Sequence, residues 1–242
     1  MATTTGLGRL KFVPVLLLAI LASGCVTSKF STTEKLQRKE GPLRIVLMPI
    51  DVELGLLNAG GVVEPNAEWT AKAKNFILED VRTKLAAQQA ELVLADDDLA
   101  DLPTEDTRLQ LVKLHEAVGR SILLHQYRDA GGLMPLPTKD NNFDWSLGAE
   151  IGALRQHYNA DYAMFVFVRD SYTSAGRVAV IIALALLRVP VHGGSQAGFA
   201  SLVDLNSGDL VWFNRLARAE GDLRKAEGAQ ETVDVLLTGF PK

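Results

Sequence analysis

The sequence predicts an α/β protein: a mixed-sheet α/β sandwich with helices packed on the sheet and an apolar insertion before a C-terminal β-hairpin. Three observations carry this prediction. Asn66 to Gln89 and Glu105 to about Tyr127 place apolar residues at helical spacing, whereas Leu43–Val52, Glu91–Ala95 and Tyr162–Val168 are short apolar runs of strand length. The two kinds of segment follow one another in the order β-α-β-α-α-β, the pattern of a layered α/β domain. Finally, Asn206-Ser207-Gly208-Asp209 separates two strand-like runs, as a hairpin turn does.

The elements are justified in chain order. Residues 1–24 carry Arg9 and Lys11, then the apolar stretch Phe12–Leu21, then the small residues Ala22-Ser23-Gly24. About ten apolar residues are too few to span a bilayer as a helix. The three-part pattern is that of a secretory signal, and it is set apart from the fold. Val26 to Pro42 is polar with little periodicity and reads as a tether, with an amphipathic helix around Thr33 to Lys39 as its alternative. Leu43–Val52, LRIVLMPIDV, reads as a buried strand, followed by a glycine-rich loop around Gly55 and Gly60-Gly61. Asn66 is a plausible N-cap for a long helix whose Trp69, Ala73, Phe76, Ile77, Val81 and Leu85 share one face. Glu91–Ala95 is a second strand.

The next helix, from Glu105, has Leu109, Val112, Leu114, Val118 and Ile122 as its apolar set. The stretch DAGGLMPLPTKDNNFD is a long loop, and Trp145 to Tyr158 reads as a return to helix. Asn159-Ala160-Asp161 makes a turn into the strand Tyr162–Val168. Gln196–Asn206 and Leu210–Ala219 are the two arms of the hairpin, and Lys225–Gly239 closes the chain as a helix. There is no internal repeat.

Charge and cysteine usage narrow the function. Removing residues 1–24 leaves 218 residues with 23 basic and 29 acidic side chains, a net of −6, enough for one substantial domain at 43–242. An acidic balance without a clustered basic face is no footprint for nucleic acid. Cys25 is the only cysteine, so no disulfide, zinc cluster or cysteine nucleophile can form within one mature chain.

Catalytic and ligand-binding patterns are weak. His115, His125, His157 and His192 have no H-E-x-x-H or other tight metal spacing, and isolated histidines of this kind read as solvated or helix-end residues. Asp96-Asp97-Asp98 with Asp101 offers oxygens for a hard cation but lacks the EF-hand spacing and its glycine, so a solvated strand end is the simpler reading. Ser195, near His192 in HGGSQAG, lacks the G-x-S-x-G elbow and reads as part of a turn. No phosphate-binding or dinucleotide fingerprint occurs. These patterns assign no catalytic residue, no metal and no cofactor.

The insertion holds the clearest oddity, VAVIIALALL, Val178 to Leu187, between Arg177 and Arg188. As a helix these ten residues reach about 15 Å, half the hydrocarbon thickness of a bilayer. As a strand they reach about 33 Å, with the large Val178, Val180, Ile182, Leu184 and Leu186 at even positions. A membrane barrel strand alternates apolar with polar residues, and no polar residue occurs here. As a helix, Ala179 and Ala183 are small residues four apart that permit close packing. Three fates follow: burial in the core, cover for a neighbouring subunit, or contact with the membrane surface. The five large residues are thus candidate membrane or oligomer contacts.

Two resemblances add to this reading. Cys25 directly after Ala22-Ser23-Gly24 resembles the lipobox of bacterial lipoproteins, with Ala22 where that family usually has Leu. The resemblance implies cleavage before Cys25, an S-diacylglycerol and an N-acyl group such as palmitate on it, and a membrane anchor. Val26, in place of the Asp that holds such proteins at the inner membrane, implies the outer membrane and its periplasmic face. RIVLMPID, NADYAMFVFV and GFASLVDLNSGDLVWFN together look like the CsgG-like lipoproteins and the related amino-terminal domain of TolB, over roughly residues 44–240. Asp204, Gly208 and Trp212 carry the hairpin motif, and a structural role suffices for them. The chain is most similar to that group's lipoproteins of unassigned role. The group's members are non-enzymatic parts of the cell envelope, so the expectation is a scaffold or accessory subunit of an envelope assembly or secretion complex, with envelope proteins, and a second copy of itself, as candidate partners. The alternatives are an oligomeric outer-membrane secretion-channel subunit and an envelope hydrolase using His192 and Ser195.

Overall fold

The structure, a computed structural model, describes residues 27–32, 41–95, 105–127, 136–139, 142–219 and 221–241. The signal with Cys25, the alternative helix at 33–39 and the acidic cluster at 96–101 lie outside the described residues.

Strand β6, Tyr162–Thr173, is the axis of the domain. Its first seven residues, YAMFVFV, are all buried, as expected of a strand covered on both faces. On one side it pairs antiparallel with β7 (Gln196–Asp204), β7 with β8 (Leu210–Arg218), and β8 with β1 (Thr27–Thr32). On the other side it pairs in parallel with β2 (Arg44–Leu47) and, further along, with β3 (Asp51–Leu57). β5 (Glu91–Leu94) lies parallel to β2, and β4 (Val63–Pro65) antiparallel to β3. The mixed sheet with helices on it is the predicted α/β sandwich.

Helices cover both faces. On one, α1 (Ala67–Ala87) and α5 (Ala226–Leu236) bury Ala73, Ile77, Val81, Leu85, Val233 and Leu236 against Ile45, Leu54, Val166 and Leu202. Asn66 caps α1 by accepting from the Trp69 amide at 2.9 Å. On the other, α2 (Glu105–His125) and α3 (Ala153–Tyr158) pack Ile122, Leu154 and Tyr158 with Phe165, Phe199 and Phe213. The remaining helix, α4 (Ala175–Leu186), lies between β6 and β7 and buries no residue.

Several expectations are corrected. LRIVLMPIDV is two strands, because Pro49 in the break has no amide to give a ladder. Gly55 lies inside β3, where a Cβ would come within 2.5 Å of Val63 Cγ1; only Gly60-Gly61 make the β3–β4 turn. The helix expected from Trp145 starts later. Trp145–Leu147 is extended along β8, with the Leu147 amide donating to Gly208 O at 2.9 Å and the Leu210 amide to Trp145 O at 2.8 Å. Gly148, at φ 84°, then turns the chain into a short 3₁₀ segment before α3. The apolar stripe of α2 runs through Leu111, Val112 and Ile122, whereas Leu109 is 57% and Leu114 41% exposed. Part of the expected tether, Thr27–Thr32, is β1, an edge strand of the sheet.

Candidate functional site

The sheet has two distinct ends, fixed by register. Thr27 pairs with Ala217, Ala217 with Ala197, and Ala197 with Arg169, so these residues form one row across four strands. β6 runs upward through that row to Thr173, and β1 descends from it. Cys25 precedes Thr27 by two residues, a covalent reach of about 7 Å. β1 starts in that row, and α4 emerges from the upper end, just past Thr173 of β6.

The stem of α4 is tightly tied. Ser174 caps the helix by accepting from the Arg177 amide at 3.1 Å, and its own amide donates to Leu57 O at 3.0 Å. Arg177 donates to His192 O through Nε and Nη2, at 3.2 and 3.0 Å, clamping the outgoing chain to the returning one. Gly194 passes so close to β6 that a Cβ there would meet Ser171 O at 2.0 Å. Beneath the stem, Asp170 accepts from Tyr172 Oη at 2.6 Å and Gln196 Nε2 at 2.9 Å. Gln196 Oε1 in turn accepts from Arg218 Nε at 2.7 Å and Thr232 Oγ1 at 3.0 Å. Burial raises the Asp170 pKa, opposed by its hydrogen bonds from Tyr172 and Gln196. This network ties β6, β7, β8 and α5 together beneath the stem.

The helix above that network is apolar and uncovered. In α4 only Arg177 is charged. Arg177, Val180, Ile181 and Leu184 form a half-covered stripe toward the body, at the spacing of one helical face. Val178, Ile182 and Leu186 point away, 44%, 60% and 82% exposed, and Leu187 follows at 71%. These exposures exclude the core fate. Because the run is helical, the odd-even pattern does not apply: of the five candidate contact residues, Val178, Ile182 and Leu186 face outward, while Val180 and Leu184 do not. The neighbouring β3–β4 turn adds Val62, 61% exposed, and Gly61 lies beside the Arg177 guanidinium.

The lower end is polar. The β7–β8 turn is built by Asp204, whose Oδ1 accepts from the Asn206 amide at 2.7 Å, and by Gly208 at φ 80°. A Cβ at Gly208 would strike Gly148 O at 2.2 Å. Trp212 is fully buried, edge-on to Phe240. Beside this turn a cleft of ≈ 510 Å³ is lined by Arg44, Arg155, Gln156, Asn159 and Asn206. Arg44 pairs with Asp161 at 3.0 Å, which raises its pKa through the hydrogen bond, and Arg155 donates to Asn206 Oδ1 at 3.0 Å.

The histidines fall in different environments. His115 was expected to be solvated or at a helix end; it is instead mid-helix and buried, with Nε2 2.7 Å from Ser201 Oγ and its ring stacked on Phe165. Burial pushes its pKa down to about 3, so the imidazole is neutral. A serine–histidine pair at this distance has the geometry of a nucleophile and its base. This one is sealed between Phe165 and Phe199, where no substrate reaches the oxygen. The signal for it was present: position 115 completes the stripe 111, 112, 118, 122 of α2. His157 packs edge-on to Tyr158, and His125 closes α2. Ser195 is held to Ser171 by backbone and hydroxyl bonds, and no hydrogen bond joins it to the His192 side chain. Among the described residues, no three His, Cys, Asp or Glu side chains are grouped to hold a metal.

No protein-family model matches the chain. No curated protein matches it either. Among solved structures it is similar to the PelC dodecamer from Paraburkholderia phytofirmans in space group P6, with 11% identity over 88% of this chain and 96% of that chain, at a TM-score of 0.42. A single-substitution variant of that protein in space group C2 has the same identity and coverage, at 0.38. Likenesses this distant leave function and assembly to be argued from the chain itself.

Proposed function

We propose that this protein is a lipoprotein anchored at the periplasmic face of the outer membrane, and that it acts without catalysis as a scaffold or accessory subunit of an envelope assembly or secretion complex. The observation that carries the reading is the amino-terminal sequence: a charged start, an apolar stretch and three small residues end on the only cysteine of the chain. Val26 supports the outer membrane as the destination. The fold adds support, because β1 begins two residues after Cys25 and leaves the domain seated at the lipid. The polar cleft around Arg44 and Arg155 lies at the opposite end, open to partners away from the membrane.

The test is expression of the full chain in a Gram-negative host with radiolabelled palmitate, followed by separation of the two membranes. The expected result is a labelled chain, lacking residues 1–24, in the outer-membrane fraction, with no label on a Cys25→Ala variant. An unlabelled chain, or one cut elsewhere, overturns the anchor. A photo-reactive side chain at Gln156, on the cleft, is expected to capture an envelope protein from the same cells; absence of any adduct overturns the scaffold role.

A further inference from the structure

We propose that α4 is a second, non-covalent anchor: its outward face sits in the phospholipid interface of the leaflet that holds Cys25. The proposal rests on the lipid-anchor reading for its geometry, and on three observations for its chemistry.

The first is the helix surface. An amphipathic helix on a globular body buries its apolar stripe. α4 turns Val178, Ile182 and Leu186 outward, with Ala179, Ala183 and Ala185 between them and no polar side chain on that face. At twelve residues it is about 18 Å long, short of the roughly 30 Å hydrocarbon core, and no helix among the described residues is long and apolar enough to cross. Too short to span, a helix with an exposed apolar face can bury that face in the boundary layer of a bilayer.

The second is charge. From Ser171 to Val203 there is no acidic residue, while Arg177 and Arg188 bracket the apolar run. A chain of formal net charge −4 thus offers an acid-free segment around its most exposed apolar surface, with the exposed Arg188 at its end. That pairing suits anionic phospholipid headgroups above acyl chains.

The third is position. Cys25 lies within about 7 Å of Thr27, so a diacylglycerol on it brings the bilayer to the upper end of the sheet. Ser174, the N-cap of α4, is five residues beyond Arg169 along the upward course of β6, about 17 Å past that row. Three strand spacings, about 14 Å, separate β1 from β6 across the sheet. A membrane held that close by the lipid meets a helix that projects from the same end, and with it the exposed Val62 of the neighbouring turn.

The test uses the full chain in cells, with p-benzoyl-phenylalanine at Ile182 or, as the control, at Lys72 on the exposed face of α1. Phospholipids and palmitate are labelled separately, so that Cys25 lipidation is read in the same samples. The expected result is a phospholipid adduct at 182 and none at 72. A 182 adduct to a second copy, or no phospholipid adduct at 182, overturns the proposal. If Cys25 carries palmitate while 182 gives no lipid adduct, the helix proposal fails and the anchor stands. If Cys25 carries no lipid while 182 crosslinks to phospholipid, the anchor fails and the helix contact stands.

Discussion

Helices α1 and α4 make an instructive pair. α1 carries many charged residues, yet it buries Ala73, Ile77, Val81 and Leu85 in an unbroken stripe. α4 has one charged residue and buries nothing. Apolar content alone therefore does not put a helix inside; a stripe that matches a waiting sheet face does. Both sheet faces are already filled by α1, α5, α2 and α3. A helix inserted between β6 and β7, beyond the end of the ladder, finds no face left to cover.

The largest effect that tests this contrast is core truncation. Ile77→Ala is expected to cost about 2–5 kcal/mol in chemical denaturation, and Ile182→Ala less than about 0.5 kcal/mol. Equal costs would mean that α4 is packed after all. Acid sharpens the contrast for a packed helix. His115 on α2 has its pKa lowered from 6.5 to about 3 by burial, so the unfolded chain binds the extra proton between those values. Its contribution is complete above pH 6.5 and is lost as pH falls toward 3. His115→Gln, which keeps a partner for Ser201, is expected to flatten the stability slope in that window by up to one proton.

Glycines give a smaller contrast. Gly119 in α2 lies where a Cβ would sit 2.1 Å from the Phe199 ring, itself stacked between Phe167 and Phe213. Gly119→Ala is expected to cost about 1–3 kcal/mol, whereas Gly176→Ala in α4, whose nearest neighbour is Ala59 Cβ at 3.4 Å, is expected to change stability by less than about 0.5 kcal/mol. The caps come last. Asn66→Ala is expected to lower global stability by about 1 kcal/mol. Ser174→Ala is expected to speed hydrogen exchange in Val178–Leu186 only, with the global midpoint unchanged.

Where the fold was legible in sequence, local chemistry and tertiary packing agreed. Asn66 capping a periodic run, the apolar YAMFVFV and the Asn206–Asp209 turn all keep their local preference in the fold. Where packing decided, the sequence was silent. Thr27–Thr32 is polar enough for a tether, and only the open edge of β8 makes it a strand. Trp145–Leu147 is extended because it bonds to Gly208 and Leu210, sixty residues on. The candidate site divides the same way. The apolar run was visible, but its three fates differ only in what surrounds it, and the Asp170–Gln196–Arg218–Thr232 network joins residues scattered along the chain.

The edge strand β1 also has a mechanical meaning. Under the proposed lipid anchor, any tug between the bilayer and the domain would enter through Cys25 and reach the sheet along the axis of β1, which is laddered to β8. All six residue pairs, Thr27–Ala217 to Thr32–Trp212, then share the load in shear, rather than opening one by one like a zip. A strand that begins two residues after the proposed anchor is thus oriented to hold the domain against drag.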